Sequence, residues 1–251
     1  MIKNYLVLGI FLSFINVEVN AAVIKSIDFE SETIGTLPST SSTDTSKINN
    51  INFGDPLIAG DSANKYLEFD PSQGYDQVQV GTYAYEPSVR FSYDMFLADN
   101  SVAVLFFDNP TIQRFEFTNG SIKAYNVDPS SRLPGTPVTY SNTYINTFDI
   151  SSYDLTQWTN FIFDIDYATE LVDVYINNTM AFSASIFSQQ SGTNSVRFQA
   201  YTNQGVYGVD NLLLETNPGA LLGSNSVPES TSIYLLASGL LGLFGVARRK
   251  V

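Results

Sequence analysis

The chain has 251 residues, enough for one or two domains, and is rich in aromatic side chains (14%) but poor in charged ones (15%). Lys and Arg total 12 against 25 Asp and Glu, so the net charge is -13. This charge excludes nucleic acid as a natural partner, because phosphate binding requires a basic surface. The sequence contains no His and no Cys, which excludes Ser-His-Asp and thiol catalysis, His or Cys metal sites, and disulfides.

The first 21 residues have the three parts of a secretory signal peptide. Lys3 supplies a positive charge near the start, and Tyr5 to Ile15 form an apolar run that is too short to span a bilayer. Small residues follow, ending at Ala21. We therefore predict that residues 1–21 are a signal peptide, which signal peptidase cleaves after Ala21.

Apolar residues recur at every second position through the body of the chain. This alternation covers 89–95, 161–166, 172–176 and 196–201, and it predicts strands with one buried face. The run 102–107 is apolar on both faces and predicts a central strand. No internal segment shows the period of a helix.

Short polar pairs separate several of these strands. Asn119-Gly120 is a strong hairpin signal, and Asn177-Asn178 and Asp99-Asn100 also suit turns because Asn and Asp tolerate positive φ. With about a dozen strands, we predict an all-β fold, a two-sheet antiparallel jelly-roll sandwich over 22–216. A linker rich in Gly, Ser and Asn follows over 217–226.

Three short motifs in the body resemble the concanavalin A-like and laminin G-like jelly rolls of bacteria. Asp28-Phe29-Glu30, followed by 34–38, resembles the opening of these domains. The stretch 158–178 is similar to their long hairpin, and 209–212 resembles their closing strand. The resemblance implies a fold and leaves the function open.

Five tyrosines are candidates for ligand binding: Tyr75, Tyr83, Tyr85, Tyr201 and Tyr207. We expect them in loops or on outward faces, where a flat ring with a polar tip can stack against the apolar face of a sugar. The alternative is ordinary packing, because Tyr is a common strand residue.

Three acidic residues are candidates for a structural calcium site. Asp28 and Glu30 share one face of the first strand, and Asp210 lies in the last strand. The first and last strands of a sandwich are often neighbours, and Ca²⁺ prefers carboxylate and amide oxygens. The jelly-roll resemblance also implies a calcium ion at this place. The alternative is that the three carboxylates are solvated.

The sequence offers little support for catalysis. Glucanases with this kind of sandwich carry Glu-x-Asp-x-x-Glu on one strand, and that pattern is absent. Asp164 and Asp166 share a strand face, and we expect both to be solvated. We expect Trp158 to anchor the core, and Arg114 and Arg197 to pair with carboxylates on neighbouring strands.

The last segment, 227–251, resembles the PEP-CTERM sorting signal of Gram-negative bacteria. Pro228 and Glu229 precede an apolar helix predicted over 232–247, and Ser230 stands where that family usually has a second Pro. A basic cluster closes the chain: Arg248, Arg249 and Lys250.

The resemblance to a sorting signal implies an exosortase as processing enzyme and a transient anchor in the inner membrane. It also implies delivery to the cell surface or the extracellular matrix. The sequence thus predicts an exported, non-catalytic protein that binds extracellular polysaccharide or acts as a scaffold. Two alternatives remain, a surface glycoside hydrolase and a purely structural or adhesive matrix protein.

Overall fold

The computed structural model describes residues 21–84, 86–109, 111–128, 141–186, 194–202 and 204–216. Within them the chain forms strands and one short 3-10 turn, at Pro71–Gln73. The strands, in chain order, are β1 (Val23–Ile27), β2 (Asn50–Phe53), β3 (Leu57–Gly60), β4 (Lys65–Phe69), β5 (Asp76–Tyr83), β6 (Ser88–Leu97), β7 (Ala103–Asn109), β8 (Thr111–Thr118), β9 (Ser121–Asp128), β10 (Ser141–Asp149), β11 (Thr159–Asp166), β12 (Leu171–Ile176), β13 (Thr179–Ser185), β14 (Asn194–Ala200) and β15 (Tyr207–Thr216).

The strands build two antiparallel sheets. The first sheet has eight strands in the order β13-β12-β11-β6-β15-β4-β3, with β1 also paired to β15. The second has seven strands in the order β10-β9-β8-β7-β14-β5-β2. The predicted all-β sandwich of two antiparallel sheets is confirmed.

The alternation seen in the sequence places one face of each sheet in a shared core. Aromatic rings from the two sheets meet there: the Tyr93 and Phe198 ring centroids lie 5.0 Å apart, and those of Phe115 and Phe163 also lie 5.0 Å apart. All four side chains are fully buried. Each such burial contributes about 1.5–3 kcal/mol to folding, so these contacts hold the sheets together.

The polar pairs adopt the turn conformations that their residues favour. Asn177 and Asn178 both have positive φ and join β12 to β13, and Gly120 has a φ of 101° between β8 and β9. Both predicted hairpins are therefore confirmed. Asn100 also has positive φ, but the Asp99-Asn100 turn leads from β6 in the first sheet to β7 in the second.

Asp164 is not solvated, contrary to the expectation from the sequence. It is only 1% exposed, and it lies directly across from Arg90 in the register of β11 and β6. Arg90 Nε donates to Asp164 Oδ1 at 2.6 Å, and Nη2 donates to Oδ2 at 2.9 Å. This bidentate geometry compensates the carboxylate for the loss of water. Asp166 instead accepts from the Ala168 backbone N–H at the following turn.

Trp158 is not a core anchor either. Its side chain is 41% exposed and lies on the outer face of the first sheet, where its ring makes edge contacts with Tyr66 and Phe96. Gly208 lies beneath these rings, and a Cβ atom there would come within 2.3 Å of the Phe96 ring. The absence of a side chain at Gly208 therefore lets the aromatic rings cover the sheet.

The predicted processing signals fall outside the described residues, except for Ala21, which is exposed. Within the described ranges no helix has the length and apolar character needed to cross a bilayer. The predictions that lie beyond these ranges are the signal peptide before Ala21, the linker 217–226, the helix 232–247, and Pro228, Glu229, Arg248, Arg249 and Lys250.

Candidate functional site

A row of large side chains crosses the outer face of the second sheet. The strand register places Arg197 of β14 beside Phe106 of β7, Phe106 beside Arg114 of β8, and Arg114 beside Tyr125 of β9. These residues have the opposite parity to the core positions of their strands, so they point away from the first sheet.

Arg114 is held against three aromatic rings. Its guanidinium carbon lies 5.2 Å from the centroid of the Tyr125 ring, 5.3 Å from that of Tyr201 and 5.9 Å from that of Phe106. Arg197 lies 5.5 Å from the same Phe106 ring. Cation–π contacts of this kind fix the position of a guanidinium group and leave its edge available for hydrogen bonds.

One carboxylate lies among these groups. Glu116 forms an ion pair with Arg114 and accepts a hydrogen bond from the Tyr125 hydroxyl at 2.9 Å. The side chain of Glu116 is 17% exposed and that of Arg114 is 13% exposed. Water therefore reaches this pair only at its outer edge.

Amide side chains and tyrosines extend the row towards β5 and β2. Gln77 Nε2 donates to the Tyr75 hydroxyl at 3.1 Å and to Gln199 Oε1 at 3.1 Å. The Tyr75 ring lies 5.8 Å from that of Tyr201 and 5.4 Å from that of Phe53, which is 58% exposed. The result is a surface of partly exposed rings beside the buried amides of Gln77 and Gln199.

We call this surface the tyrosine–arginine face. Its members come from six strands and the loops beside them: Phe53, Tyr75, Gln77, Phe106, Arg114, Glu116, Tyr125, Arg197, Gln199 and Tyr201.

The structure brings together only two of the five tyrosines predicted as ligand contacts, Tyr75 and Tyr201. Tyr83 is buried, and its hydroxyl lies 2.7 Å from that of Tyr167. Tyr207 is fully buried and stacks on Phe69 with the ring centroids 4.6 Å apart. The expectation of an outward face is therefore wrong for Tyr83 and Tyr207. Tyr207 shares a strand face with the buried Val209, whereas a register shift between β5 and β14, beside Val80, turns Tyr83 inward. Tyr85 lies outside the described residues.

Sequence reasoning missed Phe106 as a member of the site. The run 102–107 is apolar on both faces, and β7 is indeed a central strand. Its outward residue Phe106, however, is covered by the side chains of Arg114 and Arg197. The signal that could have found the site is the pairing of this doubly apolar strand with arginines on both of its neighbours.

The candidate calcium residues lie around one end of β1 and β15. These strands are paired, with Ile27 opposite Leu212, so the expectation that the first and last strands are neighbours is confirmed. Asp210 is 3% exposed, and burial raises its pKa to about 6, with further contributions from the negative charges of Glu30, Asp94 and Asp28.

The arrangement of these carboxylates does not match a preformed metal site. Asp210 Oδ1 accepts from the Asn211 backbone N–H at 2.7 Å, and Glu30 Oε1 accepts from the Lys65 backbone N–H at 3.1 Å. In the described part of the chain, no three acidic side chains are grouped closely enough to hold one metal ion. Calcium binding by Asp28, Glu30 and Asp210 stays a prediction.

A separate acidic cleft of about 230 Å³ lies near β4 and β5. Burial raises the pKa of both Glu68 and Asp76. Tyr66 donates to Glu68 at 3.3 Å, and the Asp55 backbone N–H donates to Asp76 at 3.1 Å. Seven residues line the cleft: Gly54, Asp55, Leu57, Glu68, Asp70, Gly74 and Asp76.

No protein-family model matches the sequence, and no curated protein matches it either. Among solved structures, a carbohydrate-binding module from Bacillus subtilis is similar at 9% identity and a TM-score of 0.43, over 64% of this chain and 92% of that one. The carbohydrate recognition domain of Emp47p is similar at 12% identity and a TM-score of 0.47, over 72% of this chain and 94% of that one. A β-glucanase from Bacillus licheniformis is similar at 14% identity and a TM-score of 0.41, over 77% and 98%. Likeness at this level does not define a function, which must be argued from the site.

Proposed function

We propose that the chain is an exported, non-catalytic protein with a concanavalin A-like body, which binds extracellular polysaccharide on the tyrosine–arginine face. The observation that carries this proposal is the group of neighbouring rings at Phe53, Tyr75 and Tyr201 on the outer face of the second sheet, with Phe53 exposed. Aromatic rings stack against the apolar face of a sugar, and the buried Gln77 amide holds the Tyr75 hydroxyl in place.

Tyr75→Ala and Tyr201→Ala are each expected to weaken polysaccharide binding about tenfold, because each removes one stacking ring. The measurement uses the purified full-length chain in detergent. A glycan array first identifies a ligand, and calorimetry then compares the dissociation constants of the variants.

Trp158→Ala is the matched control, since it removes an exposed aromatic ring from the other sheet and should leave the affinity unchanged. The absence of any glycan ligand would instead favour a purely structural or adhesive role. Release of reducing ends, lost on Glu68→Gln, would favour a glycoside hydrolase that uses the acidic cleft, whose carboxyl groups have the raised pKa that a general acid needs.

We also propose that the C-terminal segment sorts the protein through the inner membrane of a Gram-negative bacterium, with an exosortase as processing enzyme. Replacing Pro228-Glu229 with Ala-Ala is expected to keep the chain in the membrane fraction with its tail attached, because the enzyme would lose its recognition motif. Fractionation and a tag at the C-terminus measure this result. Release of the variant at the wild-type level would contradict the sorting role.

A further inference from the structure

The acidic cleft near β4 and β5 carries negative charge without a compensating cation. Four acidic side chains line it: Asp55, Glu68, Asp70 and Asp76. Within the part of the chain that the structure describes, none of the four forms an ion pair with Lys or Arg. Burial raises the pKa of Asp76, and the negative charges of Asp55 and Asp70 raise it further. A cation in the cleft would therefore relieve repulsion among these carboxylates.

Asp76 presents a buried and incompletely bonded carboxylate to this cleft. Its side chain is only 5% exposed, and Oδ1 accepts from the Asp55 backbone N–H. Gly54 allows this approach, since a Cβ atom there would collide with Oδ1. Among the described residues no group donates to Asp76 Oδ2. A buried acceptor that lacks a donor is costly, so a ligand that donates to Oδ2 is favoured.

The cleft opens beside two rings of the tyrosine–arginine face. Gly54 follows Phe53 in the chain and Gly74 precedes Tyr75, so the cleft begins one residue away from each ring. The two ring centroids lie 5.4 Å apart, and Phe53 is exposed. A sugar that stacks on these rings can therefore place one of its substituents in the cleft.

The size of the cleft favours an organic cation over a metal ion. Its volume is about 230 Å³, several times the roughly 30 Å³ that one water molecule occupies, so a bare ion would fill little of it. No three acidic side chains in the described ranges lie close enough to share one metal ion. An ammonium group on a carbon skeleton fills more space and offers three N–H donors to separate carboxylates.

We propose that the acidic cleft binds the ammonium group of an amino sugar, so that the polysaccharide on the tyrosine–arginine face is one with free amines, a polymer of glucosamine for example. Asp76 accepts from the ammonium, the neighbouring carboxylates supply further negative charge, and Phe53 and Tyr75 stack against the sugar ring. This inference rests on the proposed function and adds the chemical class of its ligand. The net charge of -13 also attracts a polycation from a distance.

The test compares the hexamers of glucosamine and N-acetylglucosamine, which share one backbone and differ in whether the nitrogen is a charged amine or a neutral amide. At a pH where the amines are protonated, the full-length chain in detergent is expected to bind the glucosamine hexamer at least about tenfold more tightly, because a charge-assisted hydrogen bond contributes this much. Calorimetry measures both dissociation constants. The preference should shrink as salt is added.

Asp76→Asn is expected to abolish most of this preference. It keeps an acceptor for the Asp55 N–H and removes a buried charge that has no cation partner in the described structure, so the variant should fold. Tyr75→Ala should instead weaken the binding of both hexamers alike, because stacking does not depend on the amine. Full preference for the glucosamine hexamer in Asp76→Asn would overturn the assignment to the cleft.

Two further variants separate charge recognition from a folding defect. Asp55→Asn combined with Asp70→Asn changes two exposed positions of the cleft, and it is expected to reduce the preference severalfold. It carries the test by itself if Asp76→Asn does not fold. Asp166→Asn is the matched control, because it removes a carboxylate at the turn after β11, which two strands separate from β4, and it should leave both affinities unchanged.

Equal affinity for the two hexamers would overturn the preference for amines and leave the proposed polysaccharide binding intact. No binding of either hexamer, or of any other glycan on the array, would overturn both. Binding of polylysine as tight as that of the glucosamine hexamer would assign the cleft to cations in general and would also overturn the inference.

Discussion

Asp164→Asn is expected to lower the free energy of unfolding by about 3–5 kcal/mol, because it leaves the Arg90 guanidinium without its counter-charge. Asp164 is 1% exposed, and both of its oxygens accept hydrogen bonds from Arg90. An amide supplies one acceptor and no charge, so one N–H of Arg90 would face another donor. Urea denaturation of the full-length chain in detergent, followed by tryptophan fluorescence, measures the loss.

Asp173→Asn is the matched control. Asp173 lies across from Asp164 in the register of β11 and β12, but it is only partly buried, so the same loss of charge should cost less than about 1 kcal/mol. Arg90→Met combined with Asp164→Leu removes both charges together and should recover most of the stability. Equal stability of Asp164→Asn and Asp173→Asn would show that the ion pair between Arg90 and Asp164 does not stabilise the sheet.

The strands and hairpins of this fold are predictable because they depend on local sequence. A period of two residues places alternate side chains on the two faces of a strand, and an Asn-Gly or Asn-Asn pair adopts the positive φ of a tight turn. It is harder to predict from the sequence which of the two sheets a strand joins. The Asp99-Asn100 turn has the composition of a hairpin, yet it passes between sheets, because β6 and β7 each pair with strands distant in sequence.

The candidate site was only partly predictable for the same reason. Tyr75 and Tyr201 are 5.8 Å apart but distant in the chain, so only the pairing of β5 and β14 brings them together. Parity alone could have excluded Tyr207, since it shares a strand face with the buried Val209. The ion-pair partner of Asp164 could not be predicted from the sequence. Arg90 contacts Asp164 only because two strands that are distant in the chain pair with each other.

Asp210→Asn is expected to gain stability relative to the wild-type chain, by about 2 kcal/mol, as the pH is raised from about 4 to about 8 in EDTA. The pKa of Asp210 is raised to about 6 by burial, against about 3.9 in an unfolded chain. A carboxyl group whose pKa rises on folding stabilises the folded state at low pH, and this contribution is lost as the pH passes through about 6. Asn keeps an acceptor for the Asn211 N–H and never ionises. Urea denaturation at a series of pH values measures the difference.

Asp99→Asn is the control, because this carboxylate is exposed in the turn after β6 and its removal should give a curve parallel to that of the wild type. A parallel curve for Asp210→Asn as well would contradict the prediction.

The same samples test the calcium prediction. Coordination by Asp28, Glu30 and Asp210 would replace repulsion with a shared cation, so millimolar calcium would raise the wild-type midpoint and leave that of Asp210→Asn unchanged. Equal wild-type midpoints in calcium and EDTA would mean that these carboxylates repel one another without a bound ion.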